Sequence, residues 1–416
     1  MGTRRPCTPI HHAVTDTHRI RILIVTRNLP PLVGGMERLN WHMAEELTKI
    51  ADVRMVGPAG SAALAPAGVA VREAPLEPLW KFLLHARSLA HREANTWKPD
   101  VVLAGSGLAA PLARRAARAC GAKSAVYVHG LDVAVDNRVY RALWLPAIRS
   151  MDRVIANSHA TADLCRGIGV GPARIGIVHP GVDLPDMGHL SAPSFRQQPE
   201  SSGCDGGAAK VLGTAVDFRE RNGLSGRPLL LSVGRLSARK GLREFVTEAL
   251  PHIVAVRPDV MLLIIGDSPS QALHAEAQTP ASIQAAAAAA GVGANIKFLG
   301  VITNYAELGV VYRAADTHVF PVRQIPFDPE GFGMVAVEAA AHGLPTVAFA
   351  TGGVIDAVAE GQSGHLVPPG DYTGFANAVL ETLATSNQLR SNCTAFAQRF
   401  AWPRFGVQLV AQLHLS

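Results

Sequence analysis

The chain has 416 residues, beyond the size at which a single core keeps growing, so two domains are expected. Hydrophobic residues make up 48% and charged residues 17%, a globular profile that excludes a disordered or fibrous chain. The net charge of +6 is lopsided, with 24 Lys and Arg against 16 Asp and Glu in residues 1–200, yet no dense basic run suited to nucleic acid occurs. A basic first half fits an anionic lipid or a diphosphate-bearing acceptor; an ordinary arginine-rich surface fits it equally.

The opening MGTRRPCTPIHHAVTDTHRI lacks the apolar core of a signal peptide, and no later run approaches eighteen apolar residues. IRILIV (20–25) reads as a buried strand, followed by a Pro/Gly loop and the helix MERLNWHMAEELTKI. In PLWKFLLHARSLAHREANTWK (78–98), Trp80, Leu83 and Leu84 mix with Lys81, Arg87 and Arg92. A helix lying on a bilayer shows that pattern, and so does an ordinary amphipathic surface helix. VVLAG (101–105), SAVYVHG (124–130), RVIANS (153–158) and IGIVHPG (175–181) are expected as further strands. Residues 189–226 break the rhythm with a polar, Pro/Ser/Gly-rich stretch and a short helix, AAKVLGTAVDFRERNGL.

A second alternation then begins. PLLLSVG (228–234), VMLLIIGD (260–267), NIKFLG (295–300), THVFPV (317–322) and PTVAFA (345–350) read as strands, and SIQAAAAAAGVG as a helix ended by glycine. The chain is therefore expected to be α/β, with two doubly wound parallel-sheet domains facing across a cleft. The expected boundaries are 1–188 and 227–398, joined by 189–226, with a helix in 399–416 returning to the first domain. Five scattered cysteines (Cys7, Cys120, Cys165, Cys204, Cys393) contain no CxxC pair, which argues against disulfides or zinc and fits a reducing cytoplasm.

Two loops are suited to an anion. Gly34 and Gly35, in PPLVGGMERL, separate the first strand from its helix, where backbone can approach a ligand and free N–H groups favour negative charge. The spacing is not G-x-G-x-x-G, which weakens a nicotinamide or flavin reading. In SVGRLSARKGLREF, Gly234 and Arg235 end a strand and Lys240 precedes a helix, a natural clamp for a diphosphate.

DPEGFGMVAVEAAAHGLPTVAFATGG (328–353) places Glu330 and Glu338 in an apolar, glycine-rich run with no Lys or Arg. Gly331, Phe332 and Gly333 are expected to open a helix running to Ala341. The carboxylates then suit a polyol, whose hydroxyls would supply the donors that no nearby cation provides. Two acids eight positions apart on one helix lie roughly 12 Å apart, too far to flank a glycosidic bond as a retaining glycosidase pair does at about 5–5.5 Å. They read as binding groups.

GRLSARKG, EGFGMVAVE, PTVAFATGG and GHLVPPGD, together with PPLVGGMER, VHGLDV, ANSHAT, HPGVD and FAWPRF, resemble the retaining nucleotide-sugar glycosyltransferases of family 4, which have the two-Rossmann GT-B architecture. The resemblance extends over nearly the whole chain and is specific for the family, though not for the sugar. It implies that Arg235 and Lys240 grip the donor diphosphate and that Glu330 and the N–H groups of Gly331, Phe332 and Gly333 meet the sugar. It implies that Glu338 holds the ribose, Gly34 and Gly35 approach the diphosphate, and His129 lies near the reacting sugar. Gly234, Gly266 and Asp267 would surround the nucleotide.

No DxD motif is visible, so neither metal nor other cofactor is expected. By overall resemblance the donor leans to a GDP-sugar such as GDP-mannose, with a UDP-sugar as the alternative. The expected acceptor is a glycan or polyprenyl-diphosphate-linked lipid of lipopolysaccharide-type or other cell-surface polysaccharide assembly, at the inner face of the cytoplasmic membrane. A two-lobed sugar-nucleotide-binding protein without chemistry, and an epimerase or phosphorylase of the same architecture, stay open.

Overall fold

The structure, a computed structural model, describes residues 19–185, 213–268 and 278–414. Strand β1 (Arg21–Val25) shows why the sheets form: Leu23 and Val25 enter one core while Ile22 and Ile24 enter another on the opposite face. A strand buried on both faces reads as an unbroken apolar run and needs helices above and below.

The first sheet is parallel throughout, in the order β3-β2-β1-β4-β5-β6-β7. Its other strands are β2 (Asp52–Pro58), β3 (Ala70–Ala74), β4 (Val101–Ala104), β5 (Lys123–Val128), β6 (Arg153–Ala156) and β7 (Ile175–Ile177). The second, also parallel, runs β10-β9-β8-β11-β12-β13. It comprises β8 (Leu229–Val233), β9 (Met261–Ile265), β10 (Ile296–Gly300), β11 (Thr317–Phe320), β12 (Thr346–Phe349) and β13 (Gly364–Val367). Every strand read from sequence is present; β2, β3 and β13 are additions. The short helix after the linker is Ala215–Arg221, and its expected beginning lies outside the described residues.

Of the helices, those that matter below are α1 (Gly35–Thr48), α2 (Leu79–Trp97), α3 (Ala110–Cys120), α4 (Gly130–Ala134), α5 (Arg138–Leu143), α6 (Leu145–Arg149) and α7 (His159–Gly167). They are followed by α8 (Met334–Ala341), α9 (Tyr372–Ala397) and α10 (Trp402–Leu413). The last, α10, leaves the second lobe and packs against α1 of the first. Trp402 stacks on His42 at 4.1 Å between centroids and donates to Asp183 Oδ1 at 2.9 Å. A Cβ on Gly181 would lie 2.1 Å from the Trp402 ring, so HPGVD needs its glycine to seat this helix.

Strand order reverses between β1 and β4 in one sheet and between β8 and β11 in the other. Loops at the carboxyl ends of such strands form the ligand crevice of an open α/β sheet. Gly34 and Gly35 follow β1, the Gly234–Lys240 loop follows β8, and Glu330 follows β11.

Candidate active site

The β8 loop is shaped by glycine. Gly234 has φ +139°, and a Cβ on Gly266 would lie 1.9 Å from the Gly234 carbonyl oxygen, so the two strand ends pack backbone on backbone. Leu236 N–H donates to the Asp267 carbonyl at 2.9 Å, fixing the loop's path. The loop closes in a short turn, Ala238–Lys240, and Gly241 follows with φ +66°. From there the Lys240 ammonium donates to Glu330 Oε2 at 2.8 Å and sits 4.7 Å from the Phe320 ring centroid.

Glu330 is held by its own backbone as well. Its carbonyl accepts from Gly353 N–H at 2.9 Å, and a Cβ on Gly353 would be 2.0 Å from the Gly331 carbonyl oxygen. Phe332 is buried and stacks on His179 at 5.3 Å. The helix itself, α8, begins only at Met334, with Gly333 as its left-handed N-cap at φ 95°. Glu330 therefore precedes the helix instead of sharing it with Glu338.

Arg239, which the sequence motifs did not single out, completes the nest. Its guanidinium donates to Asp328 Oδ1 at 2.5 Å and lies 3.4 Å from Glu330 Oε2. Arg235 is exposed and forms no ion pair among the described residues, though its charge reaches both Lys240 and Glu330. Three cations thus face two carboxylates. Burial alone would raise the Glu330 carboxyl, but Lys240 and Arg239 outweigh it and hold it below the usual carboxylate range. Burial pulls Lys240 below an ordinary lysine; Glu330 opposes this, while Arg239 and Arg235 add to it. Surplus positive charge in the nest drives the Glu330 shift and adds to the burial that lowers Lys240.

Glu338, one turn into α8, points to the other domain. Arg38 of α1 donates to one of its oxygens and Tyr312 donates to the other at 3.3 Å. Side-chain exposure is only 7% for Arg38 and 14% for Glu338, so this pair joins the lobes inside the protein. Burial works against the Arg38 charge, yet Glu338 prevails and holds the guanidinium protonated even more firmly.

The two acids that lacked basic neighbours in sequence therefore have them in space, 90 residues away for Glu330 and 300 for Glu338. That corrects the expectation that ligand hydroxyls alone would satisfy them.

Of the remaining expected residues, Gly35 and the His129–Gly130 turn meet the opposite lobe. A Cβ on Gly35 would lie 3.2 Å from Met334 Sδ at the head of α8, and Gly34 adopts the extended N-cap position of α1. His129 caps α4, its N–H donating to Asp132 Oδ2 at 2.9 Å, while its Nε2 is buried without a hydrogen-bond partner among the described residues. Burial lowers the His129 pKa against the pull of Asp132, leaving a neutral ring near pH 7. A Cβ on the adjacent Gly130 would be 3.3 Å from Gly331 Cα, so this turn faces the Glu330 loop across the cleft. Asp267 is exposed at the end of β9.

A glycosyltransferase family 4 model matches residues 33–185, and a model described as glycosyl transferases group 1 matches residues 216–400. The chain therefore consists largely of a glycosyltransferase family 4 domain followed by a group 1 domain. It is 32% identical over 271 residues to the D-inositol 3-phosphate glycosyltransferase of Geodermatophilus obscurus, covering 64% of this chain and 52% of that one. The counterpart from Mycolicibacterium vanbaalenii is 32% identical over 262 residues, covering 61% and 51%. The chain thus spans about half the length of the curated relatives it matches.

Among solved structures, HepE of Anabaena in complex with UDP superposes with a TM-score of 0.73 at 20% identity, covering 95% of this chain and all of that one. Sucrose-phosphate synthase from Thermosynechococcus elongatus gives 0.71 at 21% identity, with coverage of 95% and 98%. These likenesses show the GT-B fold.

The lobes also meet through His159 and Asp356, a contact that no sequence motif announced. His159 N–H and Nδ1 approach the two Asp356 oxygens at 2.6 and 3.0 Å. With His179 they form a trio whose potential metal-ligand atoms lie within 4.8 Å of one another, but Asp356 already uses both oxygens on His159. No helix among the described residues is long and apolar enough to cross a membrane.

Proposed function

We propose that this protein transfers a hexose from a nucleoside-diphosphate sugar to an acceptor hydroxyl, keeping the anomeric configuration. The observation that carries the reading is the nest at the β8/β11 switch point, where Arg235, Arg239 and Lys240 outnumber Asp328 and Glu330. A diphosphate supplies the missing negative charge, and its departure from the sugar is where new charge develops. Lys240 and Arg235 stabilise the leaving group electrostatically, the largest contribution expected for such a step. Glu330 accepts hydroxyl hydrogen bonds from the sugar, and Glu338 those of the ribose once Arg38 yields one oxygen. The neutral His129 ring, with its unpartnered Nε2, faces the sugar from the other lobe.

Overall sequence resemblance supports a GDP-sugar such as GDP-mannose as donor. A UDP-sugar is the second reading, favoured by the HepE neighbour, which is described with UDP and with UDP-glucose. On the acceptor side we read a glycan or lipid-linked diphosphate of cell-surface polysaccharide assembly, met at the inner face of the membrane. Its support is the basic first half and the exposed Trp80 and Leu84 of α2. The test is a panel of GDP-, UDP-, ADP- and dTDP-sugars scored by protection against thermal unfolding, followed by transfer of labelled sugar. Protection by a donor with no label reaching any acceptor would reduce the protein to a two-lobed binder; no protection by any donor would remove the nest's assigned role.

A further inference from the structure

The first lobe carries a second cationic site, on a face the transfer reaction does not use. Two open cavities of about 250 and 510 Å³ adjoin along α2, α3, α5 and α6, sharing His91 and Arg115 in their walls. Arg87 lines one, and Arg114 and Arg118 the other. None of these four arginines forms an ion pair among the described residues. Arg114 also leaves its Nε buried without a hydrogen-bond partner.

The nearby acids form no ion pair with these arginines. Glu93 of α2 is buried between Arg54 and Arg72, and Asp152, whose charge reaches Arg114, accepts its hydrogen bonds from the N–H and hydroxyl of Ser124. No carboxylate lines either cavity. Burial, then the neighbouring charge of Arg118, work against the Arg114 cation and Asp152 offsets them only in part, so an incoming anion would relieve a repulsion already present.

Apolar side chains decide which anion. Leu84 lines the first cavity and Leu143 the second, yet they are 56% and 61% exposed. Trp80, one turn before Leu84, is 57% exposed, and Val139, one turn before Leu143, is 63% exposed. A soluble phosphate compound needs the arginines but gives these rims nothing to bury. A bilayer interface satisfies both, with phosphates in the groove and Trp80, Leu84, Val139 and Leu143 at the acyl boundary.

We propose that the α2–α3–α6 groove seats phosphate headgroups of an anionic bilayer and docks this lobe on the membrane. The proposal rests on the membrane-side reading of the acceptor and deepens it: docking involves four helices and a concave phosphate site, beyond the outer face of α2 alone.

Flotation with phosphatidylglycerol-containing vesicles, against pure phosphatidylcholine, tests it. The wild type should float with the anionic vesicles only, and less at high salt. Each arginine near the surface is worth roughly fivefold in vesicle affinity, so R115E/R118E should bind at least about 25-fold more weakly. L84A/L143A should also weaken binding, and both variants should keep the wild-type unfolding temperature. Flotation of R115E/R118E at wild-type strength overturns the proposal. So does full competition by inorganic phosphate with L84A/L143A unaffected, which would identify a soluble phosphate ligand. Vesicle binding without transfer to any lipid-linked acceptor would sink the acceptor reading and leave the groove standing. Transfer to such an acceptor without vesicle binding would do the opposite.

Discussion

Replacing Lys240 by methionine separates two roles that one side chain plays. In the folded protein its ammonium holds Glu330 at 2.8 Å, and the side chains are only 17% and 12% exposed. Orphaning a buried charge costs about 3–5 kcal/mol, but Arg239 stays 3.4 Å from the same Glu330 oxygen. The stability loss in K240M should therefore be about 1–2 kcal/mol, closer to a single charge-assisted hydrogen bond. Catalysis loses more: removing one preorganised donor from a charge-developing site slows turnover by about 10²–10³-fold. The companion variant K240M/E330Q removes the orphaned acid, so it should recover most of the stability while remaining slow. Chemical unfolding gives the first quantity and release of labelled sugar from the preferred donor gives the second. Recovery of turnover to within tenfold of wild type in the double variant would show that Lys240 serves Glu330 and not the departing diphosphate.

Three further outcomes follow from the same geometry. In G353A, the added Cβ meets the Gly331 carbonyl oxygen at 2.0 Å although φ at this position is an ordinary −77°. The loop carrying Glu330 must shift, and a displacement near 1 Å should cut turnover by about 10²-fold, while G167A, with nothing within 4 Å, should match the wild type. His318 is fully buried, and burial first, then Lys240, pushes its pKa down to about 3. Between pH 6.5 and 3 the unfolded chain binds the extra proton, so stability should fall on acidification by up to roughly 4–5 kcal/mol, and H318Q should flatten that slope in denaturant titrations. Finally, affinity for a nucleoside diphosphate should fall as pH rises through the depressed Lys240 pKa, below the ordinary 10.5. Calorimetry in buffers of different ionisation enthalpy should show proton uptake there, absent in K240R because arginine stays charged.

Most strands legible in the sequence are inner ones whose apolar runs are unbroken; the edge strands β7 and β10 were legible through their Ile, Phe and Leu residues. The unforeseen β3 and β13 lie at sheet edges, and β2 carries Arg54 and Gly57 within its run. Ala-Val-Arg-Glu-Ala and Gly-His-Leu-Val lack the apolar continuity that marks an inner strand. Local motifs in the site were equally legible: a glycine at φ +139° beside a strand end, or a glycine capping α8, leaves its trace in neighbouring residues. Ion-pair partners leave none. Arg38 and Glu338 meet only because α1 and α8 each open beneath a switch point, and no spacing rule links positions 300 residues apart. Arg239 was the one partner within reach of sequence reasoning, since it adjoins Lys240.

That distribution also explains why this site holds acids and cations together before a donor arrives. Surplus cations crowded near α8 without carboxylates would repel one another and pull Lys240 down further, towards its neutral form. Glu330 keeps the lysine charged by contact, and in doing so occupies it. In the function proposed above, a diphosphate bears more charge than one carboxylate and would draw on Arg235 and Lys240 while Glu330 turns an oxygen to the sugar. Arg38 and Tyr312 do the same for Glu338, each occupying one oxygen that a ribose hydroxyl would take over on that reading. On that reading the ionic contacts of the free protein pre-charge the groups the donor would use, and the Arg38–Glu338 pair ties them to the contact between the lobes.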